Sequence, residues 1–256
     1  MTILKSLCIA FSIYSKIPVP IFEWKDKEMK FNLIFFPWVG AVIGLLSFGL
    51  FYVFKRVELP LICQLAFYSL VPLVITGGFH VDGFMDVEDA ICSYKSKEEK
   101  LEILKDPHIG AFAVIRMGIY SLIWIAFLSL VVQKDNVLVL YMYFMIYFIA
   151  RAYTAVSSLC LKHARKNGML NMETKDSSRV DFAICVIELL VGITLLAFIN
   201  VWGILVCVLV IGAHFIYYKN LCYREFGGVT GDTAGFCITT LEEWLLVAIA
   251  IASFFI

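Results

Sequence analysis

The sequence predicts an all-α protein, a polytopic integral membrane helical bundle of about seven transmembrane helices with an additional N-terminal interfacial helix. The chain of 256 residues is 61% hydrophobic and only 16% charged, and its mean hydropathy is +0.88. A soluble domain contains about 25% charged residues. The alternative, a soluble all-helical protein, has too few polar residues here to cover its surface.

Each predicted span satisfies the length requirement of a bilayer, which is roughly 20 mostly apolar residues. The segments are 33–54, 61–79, 109–132, 137–161, 182–199, 201–218 and 240–256. The links between them are short, such as 134–136 and the single residue Asn200, which indicates antiparallel neighbours. Gly40 and Gly44 form a GxxxG pair typical of close helix packing. We therefore expect one membrane domain over residues 1–256.

The first 17 residues are apolar, contain Lys5 and Lys16, and end at Pro18-Val19-Pro20. A helix lying in the membrane interface is the favoured interpretation. A signal peptide is the alternative, although it would have a small-residue cleavage site, and no A-x-A pattern follows.

Charge placement predicts the orientation of the bundle. With a cytoplasmic N-terminus, the inner segments 1–32, 80–108, 162–181 and 219–239 carry 16 of the 21 Lys and Arg residues. Only Lys55, Arg56 and Lys134 fall on the opposite side, which is a positive-inside pattern. This predicts a multi-pass protein of the cell inner (cytoplasmic) membrane whose active site, formed by loops 80–108, 162–181 and 219–239, faces the cytoplasm. The net charge of zero argues against a nucleic-acid partner.

The segment after the second span contains one histidine and four carboxylates within ten residues: His80, Asp82, Asp86, Glu88 and Asp89. Carboxylates beside hydrocarbon are costly and indicate a functional site. Offsets of four and three residues place the three aspartates on one face of a helix. Hard oxygen donors in this arrangement suit Mg²⁺, which binds one or two carboxylates together with water and substrate phosphates.

Two further polar stretches lie in the predicted inner loops. Pro107 suits the first turn of the next span, which would place Asp106 at a helix N-terminus able to bind phosphate; a purely capping Asp106 is the alternative. Residues 226–235 contain four glycines, which allow a ligand to approach the backbone, and Thr230 and Asp232 add oxygen atoms. No lysine follows the last glycine, so this is not a Walker A loop.

Two arginines, Arg116 and Arg151, lie within predicted spans. A charge at that depth is paired or lines a wet cavity. The sequence leaves open whether the two guanidinium groups pair with the carboxylates or hold a pyrophosphate.

Three long motifs carry a resemblance to a known family. They are Gly-Gly-x-His-x-Asp-Gly-x-x-Asp-x-x-Asp from Gly77 to Asp89, Lys-Asp-x-x-Ile-Gly from Lys105 to Gly110, and Gly-Gly-x-Thr-Gly-Asp from Gly227 to Asp232. Smaller matches are 17–20, 36–40 with Gly44, Arg151, and Ala164-Arg165 with Gly168. In these motifs the chain resembles the cobalamin synthase family, the adenosylcobinamide-GDP ribazoletransferases, over residues 12–243.

The resemblance implies a Mg²⁺-dependent phosphoryl transfer. The ribose hydroxyl of α-ribazole, or of its 5′-phosphate, attacks adenosylcobinamide-GDP, and GMP leaves. Such a reaction is catalysed mainly by positioning and charge neutralisation. The implied catalytic residues are His80, Asp82, Asp86, Asp89 and Asp232, of which the four aspartates hold the metal, and either His80 or an aspartate takes the proton. The implied substrate-binding residues are Lys105, Asp106, Arg116, Arg151, Gly228, Thr230 and Gly231. A homo-oligomer is left open.

Two rival classes make different demands on the sequence. A CDP-alcohol phosphotransferase expects Ala-Arg after Asp82-Gly83, where Phe84-Met85 stands. A cation- or proton-coupled transporter expects carboxylates within broken helices near the membrane midplane. Here the carboxylates cluster at one predicted face, with Glu188 as the expected mid-span exception.

Overall fold

The computed structural model describes residues 2–20, 31–165, 168–197 and 201–255. Within these ranges the chain forms eleven helices and no strand beyond an isolated bridge. The helices are α1 (Thr2–Tyr14), α2 (Asn32–Val57), α3 (Leu61–Thr76), α4 (Phe79–Cys92), α5 (Lys97–Ile103), α6 (Ala111–Gln133), α7 (Val137–Cys160), α8 (Met169–Thr174), α9 (Arg179–Ala197), α10 (Val201–Glu225) and α11 (Gly231–Ala252). The predicted helical membrane bundle is confirmed.

Five helices in the described part of the chain are long and apolar enough to cross a membrane: α2, α6, α7, α11 and α10 over Leu205–Glu225. The bent pair of α3 and α4 would make a sixth. The predicted span 182–199 corresponds to α9, although its last two residues lie outside the described ranges. The predicted interfacial segment forms α1, whose Ile9 and Ala10 are buried while Ile3 and Leu4 are exposed.

The core of the bundle is formed by α7 and α11. Of the apolar stretch of each helix, 72% is buried in α7 and 67% in α11. The corresponding shares are 17% in α6 and 28% in α10. In the interior, His214 of α10 bonds to the Tyr153 hydroxyl at 3.1 Å and to the Thr240 hydroxyl at 2.9 Å. The two ring nitrogens of the buried His214 are thus satisfied by side chains of the neighbouring helices.

Glycines let α2 lie directly against α7. A Cβ at Gly40 would overlap the Tyr147 carbonyl, and one at Gly44 would lie 2.6 Å from the Phe144 carbonyl oxygen. The predicted packing role of the GxxxG pair is therefore confirmed, because only glycine admits the neighbouring backbone at these points.

The second predicted span, 61–79, is three residues too long, because α3 ends at Thr76 and the chain turns by 92° into α4. Gly77 and Gly78 both have positive φ angles, 67° and 79°, a conformation that other residues rarely adopt. Two successive left-handed glycines end the helix. The chain then folds back, so α4 lies across the end of the bundle instead of prolonging α3.

The last span also differs from its predicted bounds. The prediction begins it at 240 and ends the preceding span at 218, whereas α11 begins at Gly231 and α10 continues to Glu225. The glycine-rich stretch 226–235 is predicted as a loop, but its second half forms the first turn of α11. Only residues 226–230 connect the two helices. As a result Glu242 and Glu243, which were expected near the start of the span, lie in the middle of α11.

The three predicted inner loops meet at one end of the bundle, which we call the acidic end. The Val229 amide donates to the Lys162 carbonyl and the Ala164 amide to the Val229 carbonyl, both at 2.9 Å. Lys97 donates to the Tyr223 carbonyl at 3.1 Å. At the opposite end, Lys55 pairs with Asp135 at 3.1 Å. The fold thus brings segments that are far apart in sequence onto one surface.

Helix α8 buries a carboxylate beside α1. Glu173 is 4% exposed, and its Oε1 has no hydrogen-bond partner among the described residues. It shares a small cavity with Tyr14 and Leu170. Burial raises the pKa of the Glu173 carboxyl from its ordinary value of 4.5 to about 7, because desolvation disfavours the charged form.

We expect Gly44→Leu to lower the stability of the purified protein in detergent by about 2–3 kcal/mol, because its side chain would enter the α7 backbone. Gly49→Leu is the matched control, since a Cβ at Gly49 of the same helix meets nothing within 4 Å. Thermal melts of both variants measure the difference. Equal melting temperatures would contradict the close α2–α7 packing.

We expect Glu173→Gln to remove a pH-dependent loss of stability. The folded-state pKa lies above the unfolded value, so the wild type loses stability as the pH rises from about 4.5 to 7, by up to about 3 kcal/mol. Melts at pH 5 and pH 8 should therefore show a smaller pH effect in the variant. An identical pH dependence in both proteins would mean that Glu173 is not held in a desolvated site.

Candidate active site at the acidic end

Helix α4 presents two chemically different faces. At 100° per residue, Asp82, Asp86 and Asp89 fall within a sector of roughly 60°. Phe84 and Val87 lie on the other side and are buried. The prediction that the three aspartates share one face of a helix is confirmed.

The acidic face of α4 meets the start of α11 because two glycines allow the backbones to touch. A Cβ at Gly83 would lie 2.8 Å from the Asp232 carbonyl oxygen, and one at Gly235 would lie 2.8 Å from the His80 carbonyl oxygen. Phe84 and Phe236 stack beside this crossing, with ring centroids 5.7 Å apart. Asp232, about 140 residues away in sequence, is thereby brought to the acidic face of α4.

Four carboxylates therefore influence one another. Asp86 is half-buried and interacts electrostatically with Asp82, Asp89 and Asp232. Asp89 lies against Gly110, at the start of α6, and Asp232 is the second residue of α11. Two helix N-termini, which carry partial positive charge, thus border the cluster. They offset part of its repulsion without removing it.

Two basic residues approach the cluster. The Arg165 guanidinium interacts with the Asp232 carboxylate and donates to the Leu101 carbonyl. Arg165 belongs to one of the smaller motif matches, but the sequence interpretation placed it outside the site. The local sequence gives no signal that it faces Asp232, because the contact depends on tertiary structure.

Lys16 of the N-terminal segment is the second basic residue that the site prediction missed. Its backbone amide donates to the Ile75 carbonyl at 2.7 Å, and its side-chain stem crosses Gly77, where a Cβ would collide with it. Lys16 and Asp82 line the same open cavity of about 480 Å³, together with Gly78. The turn between α3 and α4 therefore carries a basic and an acidic group on one concave surface.

His80 lies away from the aspartates. It is about 160° from Asp82 around α4 and only 5% exposed, and its ring lies 5.6 Å from that of Phe36. Neither ring nitrogen has a partner among the described residues. The structure therefore brings the four predicted aspartates together but places His80 in the apolar interior behind them.

The two arginines have different surroundings. Arg151 is buried, donates to the Tyr147 carbonyl at 2.9 Å, and pairs with Glu242 at 2.8 Å. This is a structural ion pair, with a partner that the sequence did not indicate. Arg116 was expected to be buried, but half of its side chain is exposed, and it pairs with Glu88 at 3.3 Å. It lies near the start of α6, on a face that packing does not cover.

The predicted position of Asp106 at the N-terminus of the next span is wrong, and so is the capping alternative. Helix α6 begins at Ala111, after Gly110, without a side-chain cap. Asp106 instead accepts bonds from the backbone N–H of His108 at 3.0 Å and from its ring at 2.7 Å, an Asx-type turn. The backbone bond, followed by the ring bond, lowers the pKa of the Asp106 carboxyl. Lys105 pairs with Glu102 at the surface.

The glycine-rich connection has structural roles for two of its three predicted binding residues. Gly228 packs against the Lys162 carbonyl, where a Cβ would collide. Thr230 forms a reciprocal capping box with Thr233, so Thr230, not Asp232, occupies the N-cap of α11. Gly231 is the first residue of α11, and a Cβ there would meet nothing within 4 Å. Its backbone is therefore open to a ligand.

The acidic end suits Mg²⁺ by the chemistry of its donors. No three His, Cys, Asp or Glu side chains in the described ranges are close enough together to hold a metal ion. Mg²⁺ does not need such a cage, because it takes one or two carboxylates and completes its shell with water and substrate phosphates. Clustered carboxylates beside an open cavity meet this requirement.

Comparisons with known proteins agree with the sequence motifs. The family described as cobalamin-5-phosphate synthase matches residues 6–250. A relative from Lachnoclostridium phytofermentans named adenosylcobinamide-GDP ribazoletransferase is 39% identical over 254 residues, covering 97% of this chain and 94% of the relative. Proteins of the same name from Clostridium perfringens strain SM101 and Clostridioides difficile strain 630 are 30% and 27% identical, covering 93% and 98% of this chain and 94% and 99% of their own lengths.

No solved structure matches the chain. The family match extends over nearly the whole chain, and it includes every helix that contributes to the acidic end. The chain therefore belongs to the cobalamin-5-phosphate synthase family.

Proposed function

We propose that the chain transfers the adenosylcobinamide-phosphate moiety of adenosylcobinamide-GDP to the ribose hydroxyl of α-ribazole, or of its 5′-phosphate, and releases GMP. Family membership and the names of the relatives support the reaction class. The observation that carries the proposal is the meeting of α4 and α11, which gathers Asp82, Asp86, Asp89 and Asp232 beside an open cavity.

In the proposed reaction, the ribose hydroxyl oxygen forms a bond to the phosphorus that bears the cobinamide arm. The bond from that phosphorus to the bridging oxygen breaks, and the bridging oxygen leaves with GMP. The hydroxyl proton goes to a carboxylate of the cluster. Asp86 is our choice, because its burial and then the charges of the three neighbouring carboxylates favour its protonation. His80 is not used, because it lies on the opposite face of α4.

One or two at a time of Asp82, Asp86, Asp89 and Asp232 would hold Mg²⁺, with water and substrate phosphates completing its shell. When bound, the ion neutralises charge on the pyrophosphate oxygens. The chain itself contributes positioning: Lys16 and Arg165 are placed to contact phosphate oxygens beside the carboxylates, and the open Gly231 backbone lies at the start of α11. Fixed groups of this kind act chiefly by orienting the reacting atoms and by electrostatics.

The chain is a multi-pass membrane protein, and we propose that it lies in the cell inner (cytoplasmic) membrane with its acidic end facing the cytoplasm. Both substrates carry polar or charged groups that reach this end from water. The Lys and Arg asymmetry supports the orientation.

The structure has one feature that a transporter needs, but it differs from a transporter in the position and pairing of its carboxylates. The 92° break between α3 and α4 is the kind of broken helix that it expects. Of the mid-helix acids, Glu242 is engaged by Arg151 and Glu188 by Trp38, whose indole donates to it at 2.9 Å. The adjacent Glu243 has a buried Oε1 without a partner among the described residues. The carboxylate cluster lies at the end of the bundle, which favours a surface reaction over a transport path.

We expect purified protein in detergent to release GMP from adenosylcobinamide-GDP only when both α-ribazole and Mg²⁺ are present. Release of GMP, measured by chromatography, should stop with EDTA and return when Mg²⁺ is added in excess. GMP release that is insensitive to EDTA would refute the metal proposal while leaving the transfer intact. No GMP release under any of these conditions would refute the reaction itself.

We expect Asp82→Asn and Asp232→Asn each to reduce turnover by about 10²–10³-fold or more, because each removes a negative oxygen from the phosphate site without changing its shape. Asp135→Asn is the control, since Asp135 lies at the opposite end and pairs with Lys55. The Asp232 variant is the sharper test, because Thr230 already caps α11 and a capping loss is not expected. Normal turnover with unchanged Mg²⁺ dependence in that variant would remove α11 from the site.

We expect Lys16→Met to raise the KM for adenosylcobinamide-GDP by about 10–100-fold through loss of a charge-assisted contact to phosphate. Lys16→Arg should restore most of the affinity, because it keeps the charge. Steady-state kinetics at varied nucleotide concentration measure both variants, and Lys55→Met at the opposite end serves as the control. An unchanged KM in Lys16→Met would show that the N-terminal segment only packs against the turn.

A further inference from the structure

A second cavity, of about 120 Å³, lies behind α4, on the side away from the aspartates. It is enclosed by α3, α4, α6, α7 and α11. The residues that matter for its chemistry are Ser69, His80, Tyr120, Trp124, Arg151 and Glu242. The proposed reaction uses none of these side chains, although His80 and Arg151 belong to the sequence motifs of the family.

Several polar atoms around this cavity lack partners. Both ring nitrogens of His80, Nε of Arg151 and Oγ of Ser69 have no hydrogen bond to any described residue. His80 is 5% exposed and Arg151 1% exposed, so bulk water does not satisfy them. Buried polar groups are normally hydrogen-bonded, and exceptions in a polar cavity indicate a bound molecule.

The charge of the cavity argues for a neutral ligand. The Arg151 guanidinium is held 2.8 Å from the Glu242 carboxylate, so the two charges cancel within the wall. The atoms without a partner are the hydrogen-bond donors and acceptors of His80, Arg151 and Ser69. An ion entering here would lose its hydration without gaining a counter-charge, whereas a neutral polar molecule would gain hydrogen bonds.

The shape of the wall argues for a flat ligand. Tyr120 and Trp124 lie nearly parallel, with ring centroids 5.8 Å apart and planes 26° apart. Together they give the cavity an aromatic wall against which a planar ring can pack. An aromatic wall and unpartnered polar atoms in one cavity suit a nitrogen heterocycle.

The cavity adjoins the acidic end. Leu73, Thr76 and Val81 line both this cavity and the one that contains Lys16 and Asp82. The two cavities are therefore neighbours that share a wall at the α3–α4 turn, and a ligand that reaches both must pass these three side chains.

We propose that the inner cavity binds the neutral, planar nitrogen-containing base of a nucleoside substrate, with its ribose directed around the turn toward Asp82. This inference rests on the proposed function, which requires two substrates with such bases: the ribazole acceptor and the guanosine end of the donor. Their shared chemistry is a planar heterocycle with ring nitrogens that bond to His80, Arg151 or Ser69. The assignment makes His80 a binding residue for the base.

The test fills the cavity and measures nucleoside binding directly. Ser121 lines the cavity, and Ser129 lies two turns further along α6 outside it, so Ser121→Phe and Ser129→Phe form a matched pair. Titration calorimetry with α-ribazole and, separately, guanosine gives Kd for each protein in detergent. His80→Leu is the second variant, since it keeps the apolar contacts and removes the nitrogens.

We expect Ser121→Phe and His80→Leu to weaken the binding of one of the two nucleosides at least tenfold, with Ser129→Phe unchanged. Loss of α-ribazole binding identifies the acceptor base, and loss of guanosine binding identifies the donor base. The proposal is overturned if both nucleosides bind Ser121→Phe and His80→Leu as they bind the wild type. If GMP release by the wild type persists in that case, the proposed function stands and only the base site is refuted.

Discussion

The contact on which the active site depends is the crossing of α4 and α11 at Gly83 and Gly235. Because neither position carries a side chain, the two backbones approach to van der Waals distance, and the first turn of α11 reaches the acidic face of α4. A side chain at either glycine would separate the helices and move Asp232 away from Asp82. The clustering of the carboxylates is therefore a consequence of backbone packing, and no attraction between the acids is needed.

Charged side chains have different surroundings inside the bundle and at the acidic end. Inside the bundle, Arg151 and Glu242 neutralise each other, where an unpaired charge would be costly. At the acidic end, four carboxylates lie together, and among the described residues Arg165, Lys16 and two helix N-termini oppose their charge. Such residual repulsion is a cost to the folded protein that a bound cation would relieve, and it is the physical reason for proposing chemistry at this end.

Much of this arrangement could be predicted from local sequence. The apolar segments, the single-faced aspartates of α4 and the close α2–α7 packing follow from composition and helical periodicity, which depend only on neighbours along the chain. Helical periodicity also separates His80 from the site: the same 100° per residue that aligns the aspartates places His80 about 160° from Asp82. Arg165, Lys16 and Glu242 could not be assigned this way, because their partners come from other helices.

The errors in two helix boundaries lie at glycines and run in opposite directions. The predicted span 61–79 runs through Gly77 and Gly78, whereas the stretch 226–235 is predicted as a loop, although in a membrane bundle glycine also marks the points where helices touch. Gly77 and Gly78 do break α3, and their positive φ angles show why. Gly231 and Gly235, by contrast, stand within α11, where a cap from Thr230 and contact with α4 stabilise the helix. What separates the two cases is the surrounding packing, so a glycine motif beside an acidic helix is as consistent with a helix crossing as with a flexible phosphate-binding loop.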